Sequence, residues 1–347
     1  MYSKETILLL TDYKGNFGSK WDAEPLRSGF DKELLNENFA KYGYKTVYIN
    51  FSEIQELDDV SGYNILYTSS EDVGYHYKSY IEDVIYSLQL KGARVIPGYK
   101  YLKANNNKVF MELVRSSFNS DLINSLKSWS FGTIEEMNRL EHEFNYPVVI
   151  KKSTGAMSKG VYLARNERQL KKIVKGVSET RYLKRDIKDY LRHFLHKEYK
   201  KDSLYRNKYI IQEFIPELNH DWKIIVYGDK ILILTRHVKK NDFRASGSKE
   251  NYLAGSRSKK VDGIFDFTER AFKEFDVPNI SLDVVHDGSR FHIVEFQAVY
   301  YGTSTFNMSD VYYKKVNGEW IKEKIECKIE DLYGESVVRY LDNRITC

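Results

Sequence analysis

Short apolar runs alternate with amphipathic stretches over the first hundred residues. Four apolar runs are predicted to be buried strands: Ile7–Leu10, Thr46–Ile49, Asn64–Tyr67 and Arg94–Ile96. Between them, apolar residues recur at helical spacing, and Gly43 and Gly92 each follow such a stripe, where glycine commonly ends a helix. This alternation of strand and helix predicts a parallel sheet that is covered on both faces.

The pattern changes between residues 104 and 207. A capping box at Thr133 predicts a helix whose apolar face is formed by Met137, Leu140 and Phe144. The next predicted strand, Tyr146–Lys152, ends in two lysines. A polar loop that contains glycine follows it and leads into a returning strand.

That loop is Ser153–Gly160, and the returning strand is predicted at Val161–Leu163. Residues 178–207 come next and are strongly basic, with a helical period. This part of the chain therefore combines a small sheet, a flexible loop and a basic helical segment.

After residue 208 the chain turns to β-structure. Gly228-Asp229 and Asp287-Gly288 are tight-turn sequences between apolar runs, so two hairpins are predicted. A helix is predicted over Phe265–Phe275, and the tail from Tyr312 carries no recognisable motif. The predicted class is α/β, with α+β character in the C-terminal half, and the predicted domains are 1–103, 104–207 and 208–347.

The composition is that of an ordinary globular chain: 347 residues, 30% charged and 42% hydrophobic, with a net charge of +5. It excludes fibrous, collagen-like and disordered chains, and the small net charge does not indicate a nucleic-acid partner. No apolar stretch approaches the ~20 residues that a bilayer requires. Cys327 and Cys347 form no metal-binding spacing. Reduced thiols, a cytoplasmic location and no membrane or nucleic-acid partner are expected.

Several familiar catalytic motifs are missing from the sequence. It contains no G-x-x-x-x-G-K-[ST] loop and no G-x-G-x-x-G after the first strand, which disfavours P-loop and dinucleotide-binding Rossmann enzymes. H-E-x-x-H and G-x-S-x-G are absent as well.

Oxygen ligands concentrate in the second predicted hairpin. Asp283 lies on one strand, and Glu295 and Gln297, two residues apart, share a face of the partner strand. Two carboxylates and an amide oxygen suit Mg²⁺, which prefers hard oxygen ligands. A polar outer face of a hairpin is the alternative explanation.

Two lysines lie where they could reach phosphates. Lys108 begins a predicted helix, and Lys151 ends a strand beside the glycine loop. Either one alone could equally be a surface residue. The strand Ile210–Pro216 leads into a linker of the kind that holds adenine between apolar walls, although a plain strand has the same pattern.

Charged residues punctuate the first predicted hairpin and the residues after it. Arg236 and Arg244 could neutralise a transferring phosphoryl group or clamp a carboxylate, and Asp221 comes directly before the first strand of this hairpin. Ordinary salt bridges are the alternative for each of these residues.

Taken together, the order of these elements resembles the ATP-grasp superfamily of ATP-dependent carboxylate–amine ligases. It is similar above all to ribosomal-protein glutamate ligases, glutathione synthetases and D-alanine–D-alanine ligases. The matching stretches are Asn107-Lys108, Tyr146–Lys151 with its glycine loop, Gln212–Pro216, Asp221 to Arg244 and Ser281–Gln297. The resemblance implies an ATP-grasp fold behind an N-terminal parallel-sheet domain. It also implies amide-bond formation from a carboxylate and an amine through an acyl phosphate.

The same resemblance implies ATP and Mg²⁺, or Mn²⁺, as cofactors and assigns a role to each candidate residue. The nucleotide would be bound by Lys108, Lys151, Ser153, Gly155, Gly160, Gln212, Glu213, Phe214, Ile215 and Asp221. The catalytic residues would be Arg236, Lys151 and Arg244, and the metal ligands would be Asp283, Glu295 and Gln297. The substrates would be a small-molecule, peptide or glycan carboxylate and an amine.

The sequence departs from the family pattern at several positions. Gln297 stands where the family usually has Asn, and Lys223 where it has Arg. Ala245-Ser246-Gly247 replaces a common Asn, and Val299-Tyr300-Tyr301-Gly302 replaces a proline–glycine pair. These departures leave the nucleotide half intact and fall in the half that binds the acceptor.

Two alternatives to a ligase remain at this stage, a phosphotransferase on the same fold and a nucleotide-binding module without catalysis. The basic segment 181–206 also has two explanations. It could dock an acidic substrate, such as an anionic glycan, a peptide or a nucleotide-linked sugar. The favoured interpretation is a solvated helix in which Tyr190, Leu191, Phe194 and Leu195 pack inward. The sequence predicts no oligomeric state.

Overall fold

The computed structural model describes residues 5–23, 26–140, 144–155, 160–238, 243–244 and 252–345. The chain forms two compact units. Met1–Asn105 and Leu218–Cys347 together make the first unit, and Asn106–Glu217 makes the second. The three-part division expected from the sequence stays a prediction.

The N-terminal part of the first unit is an α/β layer built on a parallel sheet. Its elements are β1 (Thr6–Thr11), β2 (Lys20–Ala23), β3 (Leu26–Ser28), α1 (Lys32–Ala40), β4 (Lys45–Asn50), β5 (Asn64–Tyr67), α2 (His76–Leu90), β6 (Arg94–Ile96) and α3 (Tyr99–Ala104). Strands β4, β1, β5 and β6 are neighbours in that order, and all their pairings are parallel. The four predicted strands and the parallel sheet are confirmed.

The buried pattern of β1 explains its central place in this sheet. All six of its residues are buried, as expected for a strand that has a neighbour on each side and helices on both faces. The chain leaves α1 through Gly43, whose φ is +83°, and Tyr44 N–H donates to the carbonyl of Phe39. A glycine tolerates this left-handed conformation, so the predicted helix stop at Gly43 is confirmed.

The second unit is built on an antiparallel sheet. Its elements are α4 (Lys108–Ser116), β7 (Ser128–Phe131), α5 (Ile134–Arg139), β8 (Val148–Lys152), β9 (Val161–Ala164), α6 (Glu167–Ser178), α7 (Leu183–Leu195) and β10 (Tyr209–Glu213). The strand order is β7-β10-β8-β9. Val148, Ile150, Tyr209 and Ile211 place one face of this sheet in an apolar core. The opposite face of the sheet carries Lys151 and Gln212.

One predicted helix is shorter than its pattern indicates. The capping box at Thr133 is present, but α5 ends at Arg139, because Leu140 already has extended backbone angles of φ −72° and ψ 113°. Leu140 is exposed, and Phe144 lies outside the helix with its ring 5.2 Å from that of Trp129. The predicted apolar face of Met137, Leu140 and Phe144 is therefore wrong for its last two members.

The C-terminal part of the first unit is dominated by a second antiparallel sheet. Its elements are β11 (His220–Tyr227), β12 (Lys230–His237), β13 (Leu253–Ala254), α8 (Ile264–Phe275), β14 (Asn279–His286), β15 (Phe291–Gln297), α9 (Ser304–Met308), β16 (Val311–Val316), β17 (Glu319–Lys324) and α10 (Ile329–Ile345). The strand order is β15-β14-β11-β12-β16-β17, with β13 paired to β12. Both predicted hairpins and the helix at Phe265–Phe275 are confirmed.

The tail that carries no sequence motif completes the core of the first unit. Val337, Val338 and Leu341 of α10 belong to the same buried cluster as Ile7 and Leu35 of the N-terminal layer. The C-terminal helix thus covers the parallel sheet. No helix in the described parts of the chain is long and apolar enough to cross a membrane.

Candidate active site

One face of the antiparallel sheet in the first unit gathers five of the predicted site residues. Asp221 on β11 lies directly opposite Arg236 on β12, and Lys223 lies opposite Asp283 on β14. Since side chains two apart on a strand and directly opposite across strands share a face, these four charged side chains point to the same side. The other face is apolar and is covered by α8, where the Phe275 and Phe296 rings are 4.9 Å apart.

A β-bulge brings the acidic residues of β14 and β15 onto this charged face. His286 pairs with Phe291 and Val284 with Ile293, but Asp283 pairs with Glu295, because the register shifts between Asp283 and Val284. An unshifted hairpin would place Glu295 opposite Leu282 and turn it to the apolar face. The extra residue on β15 therefore sets Asp283 and Glu295 side by side. Beyond them, Gln297 pairs with Ser281, also on the charged face.

Arg236 is fixed by two carboxylates. Its Nε and Nη2 donate to the two carboxylate oxygens of Asp221, each at 2.7 Å, and its Nη2 lies 2.8 Å from Oδ2 of Asp283. Its side chain is 8% exposed. This bidentate arrangement holds a planar guanidinium in one orientation, which suits recognition of phosphate or carboxylate groups.

Burial and neighbouring charges shift the pKa values of Arg236, Asp221 and Lys223 on this face. Burial opposes the charge of Arg236, but Asp283 and Asp221 outweigh it, and the pKa of the guanidinium is raised above its ordinary value. Burial raises the pKa of Asp221, although Arg236 opposes that shift. Burial lowers the pKa of Lys223, against the attraction of Asp283 and Glu295. These are the shifts expected where charges lie close together with little water.

The donor set on this face fits a hard cation in its chemistry. Asp283, Glu295 and Gln297 offer carboxylate and amide oxygens from adjacent strands, and oxygen ligands are those that Mg²⁺ prefers. Within the described residues, no group of three or more His, Cys, Asp or Glu side chains could hold a metal. A metal on this face would therefore depend on two carboxylates, with Gln297 as the neutral donor.

The second unit has its own cluster, around Lys151 on β8. Its ammonium donates to Oε1 of Gln212 on β10 at 2.7 Å, and both side chains are buried. The register of β8 and β10 places Val149, Lys151, Ile210 and Gln212 on the face that the core leaves free. The amide nitrogen Nε2 of Gln212 is buried and has no hydrogen-bond partner among the residues that the structure describes. A buried amide donor without a partner is costly, and a bound ligand could accept its hydrogen bond.

Lys108 lies at the first turn of α4 and is tied to the start of the glycine loop. Its Nζ donates to the carbonyl of Gly155 at 2.8 Å, and its backbone N–H donates to the carbonyl of Ser153 at 2.8 Å. The Ser153 hydroxyl donates to Oδ1 of Asn107, the N-cap of α4. Hydrogen bonds thus connect Lys108 and the start of α4 to the first residues of the glycine loop.

Part of the predicted glycine loop lies outside the described residues, namely 156–159. Its two glycines are described and have φ values of +117° for Gly155 and +80° for Gly160. A Cβ at Gly160 would come 3.1 Å from side-chain atoms of Lys152, so both the backbone angle and the space favour glycine.

The predicted adenine hinge follows the end of β10. Glu213 exchanges hydrogen bonds with Lys127, whose carbonyl accepts from the Glu213 N–H at 3.0 Å and whose N–H donates to the Glu213 carboxylate at 3.3 Å. Phe214 and Ile215 come directly after the strand and are half-buried. The backbone of these two residues lies beyond the ladder of β10.

Arg244 is described together with Phe243 only, between stretches that the structure leaves out. Its guanidinium lies 5.7 Å from the centre of the Phe243 ring. Ala245-Ser246-Gly247, where the sequence departs from the family pattern, lies outside the described residues.

Comparison with known proteins identifies the family of one domain of the chain. Residues 103–256 match the family model of the RimK-like ATP-grasp domain. The chain is 26% identical over 243 residues to an alpha-aminoadipate–LysW ligase, LysX, from Saccharolobus solfataricus, a match that covers 67% of this chain and 77% of that protein. The match confirms the ATP-grasp resemblance that the sequence predicts, over residues 103–256 of the chain, and the relative that shares sequence with it is a ligase. The chain thus carries a RimK-like ATP-grasp domain.

Two solved structures share the fold at low sequence identity. D-cycloserine synthetase DcsG is 9% identical, with a TM-score of 0.52 over 97% of this chain and 99% of that one. A RiPP-associated ATP-grasp ligase from Chryseobacterium gregarium is 12% identical, with a TM-score of 0.50 over 98% of this chain and 97% of that one. The predicted α/β class with an ATP-grasp fold is confirmed.

The structure adds contacts that the sequence interpretation missed. The pairing of Arg236 with Asp221 was available in principle, because a two-residue turn at Gly228-Asp229 sets residue 221 opposite residue 236. The second contact joins Lys151, which the sequence predicts to contact phosphate, to Gln212, which it predicts to lie beside adenine. No turn connects β8 to β10 directly, so the sequence carries no comparable signal for this contact.

Proposed function

We propose that this protein uses ATP and Mg²⁺ to phosphorylate a carboxylate and then joins the acyl phosphate to an amine. The observation that carries the proposal is the charged sheet face of the first unit. There Arg236 is held by Asp221 and Asp283, next to Glu295. Phosphoryl transfer depends mainly on positioning and on neutralising charge, and this face provides fixed groups of both signs.

Arg236 is proposed to stabilise the transferred phosphoryl group. Its orientation is set before any substrate binds, because Asp221 fixes the guanidinium through two hydrogen bonds. A preorganised donor needs no rearrangement as negative charge develops, which is the main source of electrostatic catalysis. Asp221 is then a positioning residue that acts through Arg236.

Asp283, Glu295 and Gln297 are proposed to hold Mg²⁺. The ion, when bound, would supply positive charge that neutralises phosphate oxygens. Oδ2 of Asp283 contacts the guanidinium of Arg236, and we propose that the same carboxylate also binds the metal. Substituting Asp283 is expected to disturb both.

Lys108 and Lys151 are proposed to contact the ATP phosphates, and Gln212 to Ile215 the adenine. The carbonyl of Gly155 and the side-chain oxygen of Gln212 hold the two ammonium groups in place. Nε2 of Gln212 has no partner within the described part of the chain, which supports a ligand at this face, since a ring nitrogen or phosphate oxygen would accept its hydrogen bond. Ser153, Gly155 and Gly160 belong to a loop that is proposed to cover the phosphates.

The substrates are proposed to be a small-molecule, peptide or glycan carboxylate and an amine. A cytoplasmic location is proposed because the reaction consumes ATP. The decisive experiment incubates the protein with ATP, Mg²⁺ and panels of carboxylates and amines, and identifies every product by mass spectrometry. ADP, free phosphate and an amide in equal amounts support a ligase, whereas a stable phosphorylated product without an amide identifies a phosphotransferase and overturns the proposal.

Nucleotide binding by the second unit can be tested separately. Lys151→Met keeps the side-chain volume but removes the ammonium, so the dissociation constant for ATP should rise at least ~10-fold and turnover should be lost. Lys152→Met is the matched control, because alternation along β8 turns Lys152 to the other face. Equal ATP affinities for wild type and Lys151→Met, measured by calorimetry, would contradict the assignment.

A further inference from the structure

Helix α7 presents its apolar side to solvent. Leu183, Ile187, Tyr190, Leu191 and Phe194 recur at helical spacing, and at 100° per residue they lie within one stripe, here called the apolar stripe. All five are exposed, Leu183 by 73% and Phe194 by 83%. The favoured sequence interpretation, in which this side packs inward, is wrong. A helix of a globular protein normally buries such a stripe.

The side of α7 that faces the protein is polar. Asp189, on the side opposite the apolar stripe, is the buried residue of this helix. Its carboxylate accepts hydrogen bonds from the hydroxyl of Tyr199 and from the backbone N–H of Asp202, the latter at 2.8 Å. The helix is therefore held by its polar side, and the outward direction of the apolar stripe is a built feature.

The segment that contains α7 is closed at its base and braced across its length. The backbone N–H of Thr180 donates to the carbonyl of Leu204 at 2.8 Å, and an isolated antiparallel β-bridge pairs the backbones of Glu179 and Tyr205. Asp202 receives Arg185 at 3.1 Å and Arg206 at 2.8 Å. Asp189 and Asp202 are thereby used within the segment, which leaves other basic groups to act outward.

The net charge of the protein is concentrated in this segment. Residues 181–206 contain nine Lys and Arg against four Asp and Glu, a net charge of +5 that equals the net charge of the whole chain. Lys184 and Lys188 follow one edge of the apolar stripe, and the ammonium of Lys201 lies 5.6 Å from the centre of the Tyr190 ring. The stripe is therefore an apolar surface with a basic border.

We propose that the apolar stripe and its basic border dock an acidic polypeptide segment that carries apolar side chains. An amphipathic peptide buries its apolar residues on the stripe, and its carboxylates meet Lys184, Lys188 and Lys201. A second copy of the chain is a poor occupant, because it would set two basic segments against each other. A bilayer is also a poorer fit, since Asp186 lies on the other edge of the stripe, where membrane-surface helices carry further cations.

The test selects peptides from a displayed library of random 12-residue sequences against the immobilised full-length protein. The expected winners are enriched in Asp and Glu together with Leu, Ile, Phe or Trp. Their dissociation constants should rise at least ~10-fold for the Ile187→Ser/Phe194→Ser variant, as for central residues of an interface. Leu113→Ser is the control, because Leu113 is also exposed on a helix of the second unit.

A charge variant tests the basic border. Lys184→Glu/Lys188→Glu should weaken the same peptides at least ~10-fold and reduce the salt dependence of binding. Lys172→Glu/Lys175→Glu on α6 makes the same change of charge on exposed lysines away from the stripe and should have little effect. All variants change exposed side chains, so unchanged circular dichroism is expected and is measured for each.

Three results would overturn the proposal. The first is a selection that yields no binders, or binders without acidic enrichment or without loss in the stripe variant. The second is Phe194-dependent binding to vesicles of phosphatidylcholine and phosphatidylserine when no peptide binds. The third is self-association in sedimentation that Ile187→Ser/Phe194→Ser abolishes, which would assign the stripe to a second copy.

Discussion

Single residues on the charged sheet face divide by the charge that each contributes. Glu295 brings a full negative charge next to Asp283, while Gln297 brings a neutral oxygen at the next position on the same face. Affinity for a hard divalent cation depends on the charge of its ligands. The two residues should therefore differ sharply when each is replaced by a side chain of similar shape.

We predict that Glu295→Gln lowers kcat at least ~10²-fold, the scale found when one electrostatic partner of a transition state is removed. Gln297→Asn should keep measurable activity, because the charge of the ligand set is unchanged. At most, its affinity for Mg²⁺ should fall. ADP release against Mg²⁺ concentration measures both effects, and Glu319→Gln on β17 serves as an exposed control. Normal turnover of Glu295→Gln together with an inactive Gln297→Asn would show that Glu295 is not a ligand.

Arg236 has a structural effect that can be separated from catalysis. Arg236→Gln leaves Asp221 and Asp283 without their buried partner, so the free energy of unfolding should fall by about 3–5 kcal/mol. Urea denaturation measures this loss. The double variant Arg236→Gln/Asp221→Asn should recover part of it, because one stranded charge is gone. Arg339→Gln, an exposed control, should change stability by less than about 1 kcal/mol; an equally small effect for Arg236→Gln would contradict the prediction.

The sequence predicts the residues of the candidate site better than it predicts the contacts between them. A two-residue turn fixes the pairing of Asp221 with Arg236, and the types of residue at 283, 295 and 297 suggest a metal. The bulge that turns Glu295 to the same face as Asp283 leaves no clear mark in the sequence. One additional residue on β15 reverses the facing of every later residue, so site geometry here depends on a local irregularity.

At the scale of elements, the turn between β14 and β15 is stabilised by one carboxylate. Asp287 accepts from the backbone N–H groups of Ser289 and Arg290, each at 2.8 Å, and from the His292 ring at 2.8 Å. The hydrogen bond from His292, followed by that from the Arg290 N–H, lowers the pKa of Asp287 well below its ordinary value. The turn therefore depends on the ionised form of this side chain.

This shift predicts a pH-dependent contribution to stability. A lowered folded-state pKa means that the unfolded chain binds the proton more tightly, so the stabilisation is complete above pH ~4 and is lost as the pH falls further. Asp287→Asn should therefore lower stability by about 1 kcal/mol at pH 7, the size of an ordinary hydrogen bond because Asp287 is partly exposed, and by less at pH 3. Urea titrations at the two pH values measure the difference.

Asp58→Asn is the control for this series, since Asp58 is exposed and lies away from the hairpin. It should change stability little at either pH. A loss for Asp287→Asn that is equally large at pH 3 and pH 7 would mean that packing, and not charge, stabilises the turn.

Helix α7 shows what periodicity can and cannot predict about an element. The apolar spacing correctly predicts a helix, but the same spacing suits a stripe that is buried and one that faces water. The direction is set by Asp189, which Tyr199 and Asp202 hold from outside the helix. Those contacts join residues ten or more positions apart through a loop, and single-sequence patterns do not reveal them.

At the scale of the whole molecule, the order of elements along the chain is a stronger predictor than any single motif. Several weak motifs in the right order predict the ATP-grasp fold, and the family match over residues 103–256 confirms this prediction. The tail is the counterexample. Residues after Tyr312 gave no signal, yet α10 covers the N-terminal sheet, because a helix that completes a core needs only apolar residues at suitable spacing.

The distribution of charge over the molecule leads to a final prediction. Thr180 and Leu204 are joined by a backbone hydrogen bond of 2.8 Å, so residues 181–203 can be replaced by two glycines without stretching the chain. The shortened protein should fold and keep its affinity for ATP, because Lys108, Lys151 and Gln212 lie outside the excised stretch. It should elute from a cation exchanger at lower salt, since most of the excess positive charge has been removed.

The matched control is Lys184→Glu/Lys188→Glu, which brings the full-length chain to the same net charge but keeps α7 and its apolar stripe. If net charge alone determines elution, the two proteins should elute at the same salt concentration. They differ in the apolar stripe, which only the shortened protein lacks. Calorimetry with ATP and thermal unfolding are measured for both. Loss of ATP binding in the shortened protein, with the control unaffected, would show that the segment supports the nucleotide site and is more than an appended docking surface.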